Sequence, residues 1–220
     1  MSSEDHRDIP GLSKGRLEDL TDGIFGTVMT VLVLSLSVPI ITSTSPASEN
    51  AQLVESLRGL LPDILGYVIS FAILGAFWIR HHSMFFYVVT VDRILLWLNI
   101  LFLLTIGFIP FSTALLGRYP TLKLSLIIYG SNLIATSVTS QFLWRYAVRK
   151  KLLSRDTLDE GKMSTINRRL SAGPVAYVVG IIISFFDPAV TLLIYVVTMF
   201  FFILNTGMGF RLRRRKKTQA

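Results

Sequence analysis

The chain has 220 residues, 51% of them hydrophobic and 16% charged, with a mean hydropathy of +0.57. That leaves too little charged surface for a soluble domain and puts the chain in the membrane class. The absence of cysteine excludes disulfides, thiol nucleophiles and cysteine-based zinc sites, and the net charge of +8 asks which membrane face carries it.

The first twenty residues hold Glu4, Asp5, Asp8, Glu18 and Asp19. They have neither the basic start nor the short apolar core of a secretory signal, so the first apolar helix is expected to stay as an anchor. About 20 apolar residues cross the hydrocarbon core as a helix. On that measure the sequence predicts six helices, at about 20–41, 60–80, 92–116, 121–146, 172–186 and 188–210. The third contains Pro110. The last two form a hairpin that turns at Asp187-Pro188, where proline bars continuation. Residues 42–59, rich in Ser, Thr, Pro and Asn, read as a flexible external connector. Residues 145–170 form the longest charged stretch, and 211–220 a basic tail. The expected fold is an all-α integral membrane protein, one domain over 1–220.

Six spans put both ends on one side. The N-terminus, the loops after helices 2 and 4 and the C-terminus hold 19 of the 22 Lys and Arg residues, leaving Arg58, Arg118 and Lys123 opposite. Positive charge collects on the cytoplasmic side, so both termini are expected there, in the cell membrane.

Candidate chemistry is sparse. The tail Arg211 to Lys217 follows a helix directly and reads as a topology determinant and a ligand for anionic lipid headgroups, not for nucleic acid. His81 and His82 are adjacent, so they point about 100° apart on a helix and make a poor metal pair. No phosphate loop, nucleophile elbow or zinc motif occurs, so no enzyme, metal site or cofactor is expected. Asp22 stands where the first apolar run begins and is either a helix cap or a functional acid. Gly23, Thr27, Thr30, Val31, Leu34 and Val38 share one face of helix 1 by i,i+3/i+4 spacing. If that face meets copies of itself around an axis it lines a pore; if it packs on its own chain it is core.

Arg16-x-x-x-Leu20-Thr21-Asp22 resembles the R-x-x-x-F-S-D signature of the endosomal/lysosomal potassium channel family, transmembrane protein 175, in its single-repeat prokaryotic form. Leu20 replaces the family Phe, and Thr21 keeps the hydroxyl of its Ser. Trp78-Ile-Arg-His81-His82, Asp92-Arg93, Leu95-Leu96-Trp-Leu-Asn99 and Ile109-Pro110-Phe111 follow the family pattern in order and spacing, and the likeness runs over about residues 12–210.

The resemblance implies a homotetramer of six-helix subunits conducting potassium passively, with helix 1 lining the pore and no T-V-G-Y-G filter. It implies that Thr27, Thr30, Val31 and Leu34 form the pore lining and constriction. It also implies a polar network near the cytoplasmic mouth, built from Arg16, Thr21, Asp22, Trp78, His81 or His82, and Asn99. K+ is then the permeant ion. Thr27 departs from the family, which has a large apolar residue there. Its hydroxyl either offers oxygen to an ion or bonds back to the Gly23 carbonyl. The rival readings are an ion-coupled carrier, against which the acids Asp22, Asp63 and Asp187 near span ends argue, and a non-conducting scaffold.

Overall fold

The computed structural model describes residues 13–42, 45–153 and 173–217. Eight helices carry these residues. They are α1 (Lys14–Val31, running into a 3-10 turn, Leu32–Ser35), α2 (Pro46–Gly59), α3 (Leu61–Phe85), α4 (Arg93–Gly107), α5 (Ile109–Arg118), α6 (Lys123–Arg149), α7 (Gly173–Ser184) and α8 (Pro188–Lys217). Among the described residues, strand pairing is limited to one isolated bridge, Val88 with Leu153.

The first helix starts earlier than expected at 20 and stops short of 41. Ser13 caps it by accepting from the Arg16 N–H, and by Leu36 the backbone is extended (φ −87°, ψ 107°). Pro39 bars a helix through that segment and pushes Val38 out of the α region. Asp22 is therefore an interior residue of α1, not its cap.

Residues 46–59 are a helix where a flexible connector was expected. Ser45 accepts from the Ser48 N–H, and Pro46 stands in the first turn, where its missing N–H costs nothing. The Gln52 amide pairs with Thr42, accepting from its N–H (3.2 Å) and donating to its hydroxyl (3.3 Å). Leu53, Val54 and Leu57 face outward.

The helix expected at 60–80 continues to Phe85, which places Arg80 inside α3 and not in the following loop. Twenty-five residues at 1.5 Å each give about 37 Å, enough to cross a hydrocarbon core of about 30 Å. The expected helix at 92–116 is two helices. Arg93–Arg118 is one apolar stretch, and its most apolar 18 residues have a mean hydropathy of 2.3. Pro110 lacks an N–H, and its ring crowds the carbonyl of Ile106, so the ladder breaks at Phe108. Asn132 of α6 fills the break. Oriented so that donors face acceptors, its amide donates to the Thr105 carbonyl (3.1 Å) and accepts from the Ile109 N–H (3.3 Å). Two backbone groups that would otherwise be orphaned in an apolar setting are thereby paired.

The expected 121–146 is observed as Lys123–Arg149. The expected 172–186 is Gly173–Ser184, with residue 172 outside the described residues. The expected 188–210 extends to Lys217, carrying helical backbone through most of the basic tail. The tail side chains from Arg211 onward, and residues 154–172 of the charged loop, lie outside what is described. Asp187 caps α8 by accepting from the Ala189 N–H (2.8 Å) and the Val190 N–H (3.3 Å), so the chain turns at Asp187-Pro188 as expected.

Within the bundle α3 packs on α5 and α8, α4 on α6, and α1 on both α3 and α4. The main core joins Phe25 of α1 and Leu32 of the turn after it to Leu74, Phe102, Leu133 and Tyr195. A second cluster, centred on Leu17, Phe85, Leu95 and Trp144, closes one end. Close approach of α3 and α5 requires glycine at 117, where an added methyl would lie 2.9 Å from the Asp63 Cα.

Candidate functional site

α1 has two unlike faces. Leu17, Thr21, Phe25 and Val28 are buried, and Leu32 continues that stripe in the following turn. Gly23, Gly26, Thr27, Thr30, Val31 and Leu34 are exposed in the protomer, Leu34 to 76%. Helical spacing of the apolar residues forces this split, because Leu17, Thr21, Phe25, Val28 and Leu32 recur at i+3 or i+4. In the protomer this face is not covered by the other helices of its own chain.

The threonine hydroxyls on that face turn inward to their own helix. Thr27 Oγ1 donates to the Gly23 carbonyl (2.8 Å) and Thr30 Oγ1 to the Thr27 carbonyl (2.7 Å). This is the second of the two options for Thr27. The bond occupies the proton and leaves the oxygen lone pairs, so the group remains an acceptor for a cation.

A buried relay holds the other face. Thr21 donates to the Leu17 carbonyl (2.8 Å), so its oxygen accepts from Asn99 Nδ2 (3.0 Å). With its amide so oriented, Asn99 presents Oδ1 to His81 Nε2 at 2.8 Å. The oxygen can only accept, which assigns the proton to His81 Nε2. Thr21, Asn99 and His81 are all buried, and the imidazole stacks on Phe85 (4.2 Å between centroids) and Phe102 (5.5 Å). α1, α3 and α4 are thus tied at one end by a polar chain inside an apolar packing.

A second pair lies at the rim. Trp78 Nε1 donates to Asp22 Oδ1 (2.7 Å), and the indole stacks on the His82 ring at 5.6 Å. The adjacent histidines therefore have different jobs: His81 joins the buried chain and His82 the exposed stack. Arg16 lies at the exposed start of α1.

Three groups of hydrogen bonds were invisible in the sequence. Asp92 caps α4 through Leu95 N–H (2.7 Å) and accepts from Tyr146 Oη (2.5 Å), fastening α4 to the end of α6. Thr113 donates to Ser70 Oγ (2.7 Å), which pairs with Tyr129 Oη (2.9 Å), joining α5, α3 and α6. Tyr195 Oη donates to the Leu126 carbonyl (3.0 Å). Scattered hydroxyls in apolar helices give no pattern to find. Among the described residues no group of three or more His, Asp or Glu gathers as metal ligands.

The family model for the endosomal/lysosomal potassium channel TMEM175 matches residues 16–110, which include the relay, the rim pair and the exposed face of α1. A potassium channel of Chamaesiphon minutus is 30% identical over 196 residues, covering 88% of this chain and 95% of that one. The crystal structure of a lysosomal potassium-selective channel TMEM175 homolog from the same organism superposes with a TM-score of 0.76 at 28% identity, over 88% of this chain and 97% of the other. The endosomal/lysosomal proton channel TMEM175 of Gallus gallus is 34% identical over 110 residues, 49% of this chain and 22% of that one. The chain belongs to the TMEM175 family of membrane channels.

Proposed function

We propose that this chain is a single channel domain that conducts potassium passively across the cell membrane, with α1 lining a central pore between copies of itself in a homotetramer. The observation that carries the reading is the exposed α1 face, whose glycines, threonines and apolar residues are left without cover while the opposite face is fixed to α3 and α4. Four copies meeting on that face would surround a path lined by Thr27, Thr30, Val31 and Leu34. Small residues at 23 and 26 permit close approach. A ring of Leu34 methyl groups would resist wetting and act as the constriction. The relay and the rim pair position α1 and do not contact the ion. Both termini lie in the cytoplasm, in keeping with the 19-to-3 division of basic residues, and the basic tail meets anionic headgroups there. The naming of a potassium channel among the relatives supports the choice of ion.

The test is flux from the purified protein in liposomes under potassium, sodium and proton gradients. The proton arm is included because vertebrate relatives are named proton channels. Potassium flux above sodium, without a counter-substrate, is the expected result. Leu34→Ala raises the leak and Thr27→Trp blocks it. Unchanged flux in both variants removes α1 from the pathway, and flux that requires a second ion gradient replaces the channel with a carrier.

A further inference from the structure

Arg80 lies five residues before the end of α3 at Phe85. Its guanidinium carbon sits 4.6 Å from the Phe77 ring centroid. Nε and Nη2 are closed off by protein and have no hydrogen-bond partner, while Nη1 is not closed in this way. Tyr177 of α7, fully buried, is within electrostatic reach. Among the described residues no carboxylate lies within ion-pair distance of Arg80.

Taking even part of a cation out of water is costly, and one aromatic face repays only part of that cost, so a counter-charge at Arg80 would be stabilising. The position in α3 narrows what can supply the missing charge. Five residues at 1.5 Å place Arg80 about 7–8 Å from the helix end, near the boundary between headgroups and acyl chains. The residues flanking Arg80 and Tyr177 in sequence, Ile79 and Val178, are exposed and apolar. A soluble anion has no use for such surroundings, whereas a phospholipid matches them, with acyl chains on Ile79 and Val178 and phosphate on the guanidinium.

We propose that Arg80 is the base of a binding site for an anionic phosphate group between α3 and α7, presented by a phospholipid of the adjoining leaflet. The phosphate bonds Nη1 first, and a small rotation of the side chain brings Nη2 to the second oxygen of a bidentate pair. The site is separate from the α1 face. It rests on the membrane setting of α3, not on conduction, so failure of the channel reading would leave it standing, and the reverse also holds.

The experiment uses the full chain purified in micelles doped with phosphatidylcholine alone or with added phosphatidylglycerol. Native mass spectrometry reads retained lipid, and thermal unfolding is followed in parallel. Charge-assisted hydrogen bonds contribute about 1.5–3 kcal/mol, so Arg80→Gln is expected to lower phosphatidylglycerol retention about tenfold or more, while Arg93→Gln, at an exposed position on the same end, leaves it unchanged. Arg80→Lys keeps the charge and loses the fork, and it retains an intermediate amount; this variant serves if Arg80→Gln does not fold. Inorganic phosphate is titrated against each. Stabilisation by inorganic phosphate equal to that by the lipid, and lost in Arg80→Gln, keeps the phosphate site but overturns the phospholipid as its source. Equal phosphatidylglycerol retention by the wild type and both Arg80 variants overturns the proposal.

Discussion

Replacing Asn99 with Leu tests whether the buried relay fastens α1. The two side chains are similar in volume, so the change removes hydrogen bonds with little cavity. Two bonds are lost, to Thr21 (3.0 Å) and to His81 (2.8 Å), and they leave unequal consequences. Thr21 still donates to the Leu17 carbonyl, so no donor is orphaned there. His81 Nε2–H, in a residue 3% exposed, is left without an acceptor. An orphaned buried donor costs about 1–3 kcal/mol, a range that overlaps the largest couplings, about 1.7 kcal/mol, measured between membrane helices. The unfolding equilibrium should therefore shift about 5- to 150-fold. His81→Phe removes the orphan, because the ring site between Phe85 and Phe102 already accepts a flat aromatic group. The double variant Asn99→Leu/His81→Phe should be more stable than Asn99→Leu alone by about 1 kcal/mol or more. Reversible unfolding of the purified protein in mixed micelles, read by circular dichroism, measures all four corners of the cycle. Additivity within about 0.3–0.5 kcal/mol would refute the reasoning, because it would mean that His81 does not depend on Asn99.

Two further outcomes follow from the geometry. Trp78→Phe and Asp22→Ala remove the same rim bond, so each should speed amide exchange in the first turns of α1 to a similar degree, and the pair together should do no more than either. Trp78 is 37% exposed, so the loss in global stability is small, about 1 kcal/mol or less. Gly117→Ala sets a methyl 2.9 Å from the Asp63 Cα and should destabilise by about 1–3 kcal/mol in the same unfolding assay; an unchanged midpoint would mean that α3 and α5 are not held that closely.

Hydropathy and charge made the class and the helical content legible. A 51% hydrophobic chain with few charges can satisfy its backbone in a membrane only through helices or a closed barrel, and runs of about 20 apolar residues choose helices. The turn at Asp187-Pro188 was equally readable, since proline ends one helix and aspartate caps the next. The motif from Arg16 to Asp22 carried the family. Errors fell where the local signal lies outside the apolar runs. α2 was missed because a Ser- and Pro-rich segment resembles a linker, although Ser45-Pro46 is a sound start for a helix. The start of α1 was missed because Ser13 lies among charges outside the apolar run.

Sequence by itself determined what each residue prefers: apolar spans, charge asymmetry, helix starts and stops, and a face of α1 with mixed small and bulky groups. Only the tertiary structure decided which groups meet. Asn99 joins a histidine 18 positions away and a threonine 78 positions away, and nothing local distinguishes His81 from His82 as its partner. The same holds for Asn132, which serves a helix break in another element, and for Arg80, which reads as a loop cation and lies half-buried within α3. The physical reason is range. Hydropathy and periodicity act within a few turns of one helix, whereas a hydrogen bond in an apolar interior is worth forming only at about 3 Å, and the packing of several helices sets that distance.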